Sequence, residues 1–343
     1  MSRSTKIGIL ITGTVVLISA SFYYYQLFFA SNFLVGAEKS QFLYIPNGAD
    51  FKSVKDSLEK NKLVHDFMPF AFVSRAVGYR DHVKPGAYEI KPNEANWSVI
   101  RRLKSGQQTP IKLTFNTIRT KRQLAQRLDS KLSFAADDLL KILNDASETE
   151  KFGLDTANIV SLFIPDTYEV YWTVKPESLL EKMDKAFKKF WTEDRLAKAK
   201  KLNLTPAQVM TIASITQSET NKVDEMPRVA GVYLNRLTQN MPLQADPTVV
   251  FAVGDFEIKR VLSGHKAKNS PYNTYMYNGL PPGPIAIASR QAVDAVLNSE
   301  THDYLFFCAR EDFSGYHNFT KDFDQHLRNA RIYQAALNKA GIY

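Results

Sequence analysis

The longest apolar stretch in the chain comes first. From Ile7 to Phe29, "IGILITGTVVLISASFYYYQLFF" runs without a charge. At about 1.5 Å per helical residue, such a run covers a hydrocarbon core of about 30 Å. Arg3 and Lys6 precede it and no acid does. That bias predicts a cytoplasmic tail at 1–6, a membrane-spanning helix at 7–29 and the rest of the chain outside. Tyr23, Tyr24 and Tyr25 lie near the outer end, where an aromatic interface belt would sit. A cleaved leader would have a shorter apolar core and a small-residue cleavage site. "YYYQLFFASNF" fits that poorly, with Ala30-Ser31 its nearest approach, and no second comparable run follows.

Beyond a linker at 30–40, apolar positions recur at mixed periods, which predicts an α+β unit over 41–108. "FLYIPNGADFKSVKDSLEKNKLV" reads as strand, turn at Asn47-Gly48, and a helix with Val54 and Leu58 inward. "DFMPFAFVSRAVGY" is a second short helix and "VKPGAYEI" a strand. "NWSVIRRLKSG" is a helix opening near Asn96 and stopping at Gly106, and "PIKLTFN" is another strand. Two amphipathic helices, "TKRQLAQRLDSKL" and "FAADDLLKILND", fill a connector at 109–153. "IVSLFIPDTYEVYW" looks β-rich until Pro165-Asp166, and one long charged helix is expected from Pro176.

"TPAQVMTIASITQSET" begins with a capping hydroxyl and a first-turn proline, Thr205-Pro206. Val209, Ile212 and Thr216 follow at helical steps, and Glu219 continues their inward face, with Asn221 a plausible stop. Apolar neighbours and the negative end of the helix dipole both disfavour a charged carboxylate there. Glu219 is thus a candidate neutral acid, the form needed to protonate a glycosidic oxygen. The plain alternative is an inward glutamate paired with Arg228 or Arg236. "RVAGVYLNRL" is a further helix that offers Asn235 and Arg236. "LQADPTVVFAVG" places Asp246 in a loop or strand start before Pro247. In "SPYNTYMYNGLPPGPIAIAS", Tyr272, Tyr275 and Tyr277 alternate with Asn273, Thr274 and Asn278 before a stiff proline-rich loop. Aromatic faces and amides suit sugar rings; equally, those tyrosines could pack on the core.

Composition adds a boundary around these readings. The chain has 343 residues, 44% hydrophobic and 23% charged, which is globular and enough for two or three domains. Its net charge of +9 suits either a solvated basic surface or an anionic partner. No nucleic-acid-binding motif accompanies that charge. No HExxH, GxGxxG or phosphate-binding loop supports a metal or other cofactor. The single cysteine, Cys308 in "YLFFCAR", cannot form an internal disulfide and reads as a buried small hydrophobe.

"FIPDTYEV", "SITQSET", "NRL", "LQADPTV", "YNTY", "GLPPGPIA" and "HNF", in this order from Ile164 to Phe319, resemble the endolytic murein transglycosylases, the YceG-like family. The resemblance implies a LysM-like fold at 41–108 and a catalytic domain at 154–343. It also implies a bacterial inner-membrane enzyme with its catalytic domain on the periplasmic side. Such an enzyme cuts the β-1,4 bond between N-acetylmuramic acid and N-acetylglucosamine in peptidoglycan strands, leaving 1,6-anhydromuramyl ends and terminating or releasing nascent strands. Glu219 matches the family's catalytic glutamate. Gln217, Asn235, Asp246, Tyr272, Asn273, Thr274 and Tyr275 fall at motif positions expected to hold substrate. Peptidoglycan synthases are implied as partners by the family alone. Gln217 stands where many relatives carry a second glutamate, and "FNTIRTKRQL" stands where a "PEGWT"-like segment is common. Two other readings stay open: a membrane-anchored wall-binding scaffold, and a hydrolytic muramidase with Asp246 as second carboxylate.

Overall fold

The computed structural model describes residues 2–33, 40–115 and 118–341. Residues 34–39 of the expected linker, Asn116 and Thr117 in "FNTIRTKRQL", and the terminal Met1, Ile342 and Tyr343 lie outside them. The fold is α+β, and it divides into two compact units. One comprises residues 1–113 with 131–133 and 169–174; the other comprises 114–130, 134–168 and 175–343.

The first unit begins with α1 (Arg3–Phe29), long and apolar enough to cross a membrane. Then follow β1 (Ser31–Phe33), β2 (Gln41–Ile45), α2 (Phe51–Lys60), α3 (Phe67–Ala76), β3 (Gly86–Ile90), β4 (Glu94–Ala95) and α4 (Asn96–Ser105). Strand β2 pairs antiparallel with β3, Gln41 facing Ile90 and Ile45 facing Gly86. Asp50 and Asp66 cap α2 and α3 by accepting from the backbone N–H groups of Ser53 and Met68. Gly106 ends α4 at φ +73°, a left-handed position that glycine takes without a Cβ clash. Leu43, Leu58, Phe70, Tyr88 and Ile100 meet in one core. Ser31–Phe33, inside the stretch expected as linker, pairs instead with β4.

After β5 (Ile111–Thr114), the chain forms α5 (Lys121–Asp129), α6 (Ala136–Leu143), α7 (Ala146–Glu150) and β6 (Thr167–Val170). The apolar run before Pro165-Asp166 is not β: Ile159–Leu162 make a 3-10 turn, and the strand comes after the proline. The long helix expected from Pro176 is two, α8 (Pro176–Phe190) and α9 (Glu193–Lys201). Trp191 turns into the core and the Thr192 hydroxyl caps a fresh helix at the Arg195 N–H, so the chain breaks there.

Next come α10 (Pro206–Glu219), α11 (Met226–Thr238), α12 (Asp246–Val253), α13 (Ser263–Lys266), α14 (Arg290–Leu297), β7 (Phe306–Ala309), β8 (His317–Thr320) and α15 (Phe323–Lys339). Helix α10 is the axis of this unit. Thr205 and Gln208 close a reciprocal capping box at its start. Val209 through Thr216 are all buried, because α9, α11, α12 and α14 surround it. The single inward face expected from spacing is therefore, between Val209 and Thr216, a helix buried all round. Cys308 sits half-buried on β7, where burial pushes its thiol pKa up.

Candidate active site

Glu219 is the last residue of α10, capped by Thr220 in place of the expected Asn221. It emerges where the buried helix meets a cleft of about 930 Å³. The cleft is also lined by Arg119, Gln217, Asp246, Phe256 and Arg260. The residue is half-buried at the wall of this space. Burial pushes its pKa from 4.5 up to about 7, and the negative charge of Asp246 adds to the rise. A hydrogen bond from Tyr233 and the charge of Arg236 oppose it.

Tyr233 lies on α11, in the core, and its hydroxyl donates to Glu219 Oε1 at 2.7 Å. That bond occupies one carboxyl oxygen and leaves Oε2 as the place for the proton. Neither arginine expected as an ion-pair partner takes that role. Arg228 pairs with Glu300 at 2.7 Å. Arg236 is 7% exposed and donates to the carbonyls of Leu305 (2.6 Å), Leu243 (3.0 Å) and Pro242 (3.1 Å). Tyr233→Phe should move the titration of Glu219 further upward, since it removes a bond that favours the carboxylate. A pH titration of the isotope-labelled glutamate carboxyl measures this; a downward shift would contradict the geometry.

Asp246 is helical, not in a loop or strand. It opens α12, with Pro247 in the first turn, where a missing N–H costs nothing and an acid meets the positive helix end. Tyr275 donates to its Oδ1 at 2.6 Å, and Lys266 Nζ lies 3.9 Å from the same oxygen. The Tyr275 phenol is held well above its usual pKa, first by burial and then by that bond.

The other expected residues are placed as follows. Gln217 lines the cleft, donating to Ile287 O (2.9 Å) and accepting from Ser289 N (2.8 Å). Together with Ser214, which accepts from Ile285 N at 3.0 Å, it pins the 285–289 segment to α10. Tyr272 packs on Phe251 with ring centres 4.6 Å apart. Asn273 and Thr274 are buried. The Asn273 amide donates to the carbonyls of Lys266 (2.9 Å) and Lys268 (2.8 Å). The Thr274 hydroxyl accepts from Ala245 N at 3.0 Å, ahead of α12. Asn235 donates to His302 O and Tyr304 O at 2.7 and 3.0 Å.

Sequence reading missed Tyr233 and Glu225. Glu225 is 3% exposed and accepts from His317 N (2.8 Å) and the Thr220 hydroxyl (3.3 Å). The Oε2 that Thr220 donates to also lies 2.7 Å from His317 Nδ1, so Glu225 ties the end of α10 to β8. The only sequence signal was the His317 of "HNF".

A model described as the YceG-like family matches residues 43–332. This chain belongs to the YceG-like family. An endolytic murein transglycosylase of Bacillus subtilis (strain 168) is 27% identical over 315 residues, covering 86% of this chain and 85% of that protein. One from Streptococcus pneumoniae (strain D39) is 28% identical over 350 residues, covering 91% of this chain; the alignment spans 62% of that longer relative. A crystal structure of a yceG-like protein from Listeria monocytogenes superposes with a TM-score of 0.58 at 27% identity. It covers 85% of this chain and 99% of that one. Family membership and the α+β fold thus agree with the motif-based expectation.

Proposed function

We propose that this chain is a membrane-anchored lytic transglycosylase that cuts peptidoglycan strands between N-acetylmuramic acid and N-acetylglucosamine. The observation that carries the reading is a half-buried carboxyl, Glu219, held by the Tyr233 hydroxyl on the wall of a cleft, where desolvation raises its pKa to about 7. Near neutrality a large fraction of it holds a proton, which general acid catalysis requires. Two of the similar proteins carry the name endolytic murein transglycosylase, which supports the substrate class.

In this mechanism Glu219 Oε2 gives its proton to the glycosidic oxygen as the C1–O bond breaks. The N-acetylglucosamine side leaves as an alcohol. The resulting carboxylate then takes the proton of the muramyl 6-hydroxyl as that oxygen bonds to C1. The 1,6-anhydro ring closes, Glu219 is protonated again and no water is consumed. One carboxylate performs both transfers. Tyr233 keeps Oε1 occupied throughout, so both proton movements use the same oxygen. Arg119, Lys259 and Arg260 put positive charge on the cleft wall, which suits the carboxylates of wall stem peptides. Arg3 and Lys6 in the first turns of α1 favour the periplasmic side for the residues that follow the span.

Asp246 supports a second reading. It shares the cleft, and its charge acts on Glu219, as the second acid of a hydrolytic muramidase would. Mass spectrometry of peptidoglycan digested by the full chain separates the two. Anhydromuramyl ends are expected; reducing ends carrying an added water would replace the transglycosylase with the hydrolase. Binding to wall material without cleavage would instead leave a scaffold.

A further inference from the structure

We propose that the exposed apolar face of α3 and the start of α4 seat the first unit on the bilayer, at the point where α1 leaves it. This inference depends on α1 being the membrane span, and it concerns a surface remote in sequence from the cleft residues.

The last turn of α1 is built into the core of the first unit. Phe28 is 6% exposed, and its ring centre lies 6.2 Å from that of Trp97. The Asn96 amide donates to Leu27 O at 2.8 Å. Asn32, just beyond the helix, donates to Asp66 O and to Asn96 Oδ1, both at 2.8 Å, and accepts from Asp66 N at 3.0 Å. Asp66 caps α3, and Asn96 opens α4. Both helices therefore start beside residues 27–32 at the end of the span, held there by hydrogen bonds of the buried Asn32 and Asn96 side chains.

Beside that exit these two helices display large apolar side chains, together with the exposed cap Asp66 and Ser98. Met68 is 74% exposed and Phe72, one turn later on the same face, is 57% exposed. Phe29 at the end of α1 is 46% exposed and Trp97 is 37% exposed. Arg75 continues the Met68–Phe72 face, and Arg101 lies one turn beyond Trp97; both are exposed. By contrast, α2 exposes Lys52, Asp56, Glu59 and Lys60. Clustered large apolar side chains flanked by arginines describe a helix lying in the headgroup boundary. Tryptophan favours that layer, and arginine reaches from it to anionic headgroups. Continuity with the span selects lipid as the occupant, since a segment fixed at the end of a spanning helix meets the bilayer surface first.

The lone cysteine makes the test simple. In the full chain with Cys308→Ser, single cysteines are introduced by Met68→Cys, Phe72→Cys, Val15→Cys and Gln107→Cys. Each is labelled with an environment-sensitive fluorophore and reconstituted in phosphatidylcholine–phosphatidylglycerol vesicles. Gln107 follows the far end of α4, about 15 Å along that helix. A lipid spin-labelled near its headgroup should quench the labels at 68 and 72 at least about twofold, and the label at 107 little. A deep spin label should quench the label at 15. Unquenched labels at 68 and 72 with a quenched label at 15 would overturn the docking and leave the anchor. Apolar emission at 68 and 72 without lipid quenching would assign the face to a protein partner. Equal quenching at 107 would remove the specificity claimed here. An unquenched label at 15 would remove the span itself.

Discussion

Glu219→Gln should lower strand cleavage by about a thousandfold, the middle of the range a positioned acid contributes, while stabilising the folded chain above neutral pH. The two effects share one cause. In the fold the carboxyl has a pKa of about 7 against an ordinary 4.5. Below about pH 4.5 both folded and unfolded chains hold the proton, and the glutamate costs nothing. As pH rises from there, the unfolded chain releases its proton while the folded chain retains it, so stability falls. Above pH 7 the penalty levels off at about 3 kcal/mol. Glutamine can still accept from Tyr233 and carries no charge to bury. Denaturant unfolding at pH 4 and pH 8.5 measures the difference. The variant should match the parent in acid and exceed it in base. Activity of the parent should correspondingly decline as pH rises through about 7. An equal stability change at both pH values would mean that Glu219 is an ordinary surface carboxylate, and the catalytic assignment would lose its physical basis.

Gly283→Ala should cost about 3 kcal/mol and much of the activity with it. A Cβ at residue 283 would lie 2.2 Å from the carbonyl oxygen of Ala157 and 2.7 Å from its carbon. Those are backbone atoms, fixed by the Asp155 side chain, which accepts from Ala157 N (2.7 Å) and Asn158 N (2.9 Å). One of the two chains has to move. On the loop side, the displacement carries into residues 285–289, which Ser214 and Gln217 hold against α10. Gly264→Ala, where a Cβ meets nothing within 4 Å, should change stability by less than about 0.5 kcal/mol. Thermal unfolding of both variants checks the contrast. Comparable losses would show that the close crossing does not matter.

Much of this could be read from the chain because the informative signals are local. Thr205-Pro206 with Gln208 announces a helix start through side chain to backbone bonds within three residues. Gly106 closes α4 by a local device too, its left-handed φ, whereas the Asn96 amide at the start of α4 bonds Leu27 O, 69 residues away. Misreadings arose where distant contacts decide. Trp191 breaks a continuous charged helix because the core takes its ring. Asp246-Pro247 is equally compatible with a turn and with a helix start, and the bond from Ala245 N to Thr274, 29 residues away, lies beyond any local pattern. The partner of Glu219 was sought among arginines, since opposite charges are the obvious pairing. A neutral phenol on the next helix holds it instead, because an acid meant to keep its proton is poorly served by a cation at contact distance.

The burial of α10 from Val209 to Thr216 has a consequence for biogenesis. Glu219 owes its proton to the atoms packed around it. In a newly made chain that has not yet folded, that packing does not exist. The side chain is then an ordinary glutamate, ionised at neutral pH and unable to act as an acid. The polypeptide is thus born disarmed, with no propeptide or inhibitor needed to keep it so. Under the proposed function, it acquires the capacity to cut peptidoglycan only as the helices packed against α10 close on it.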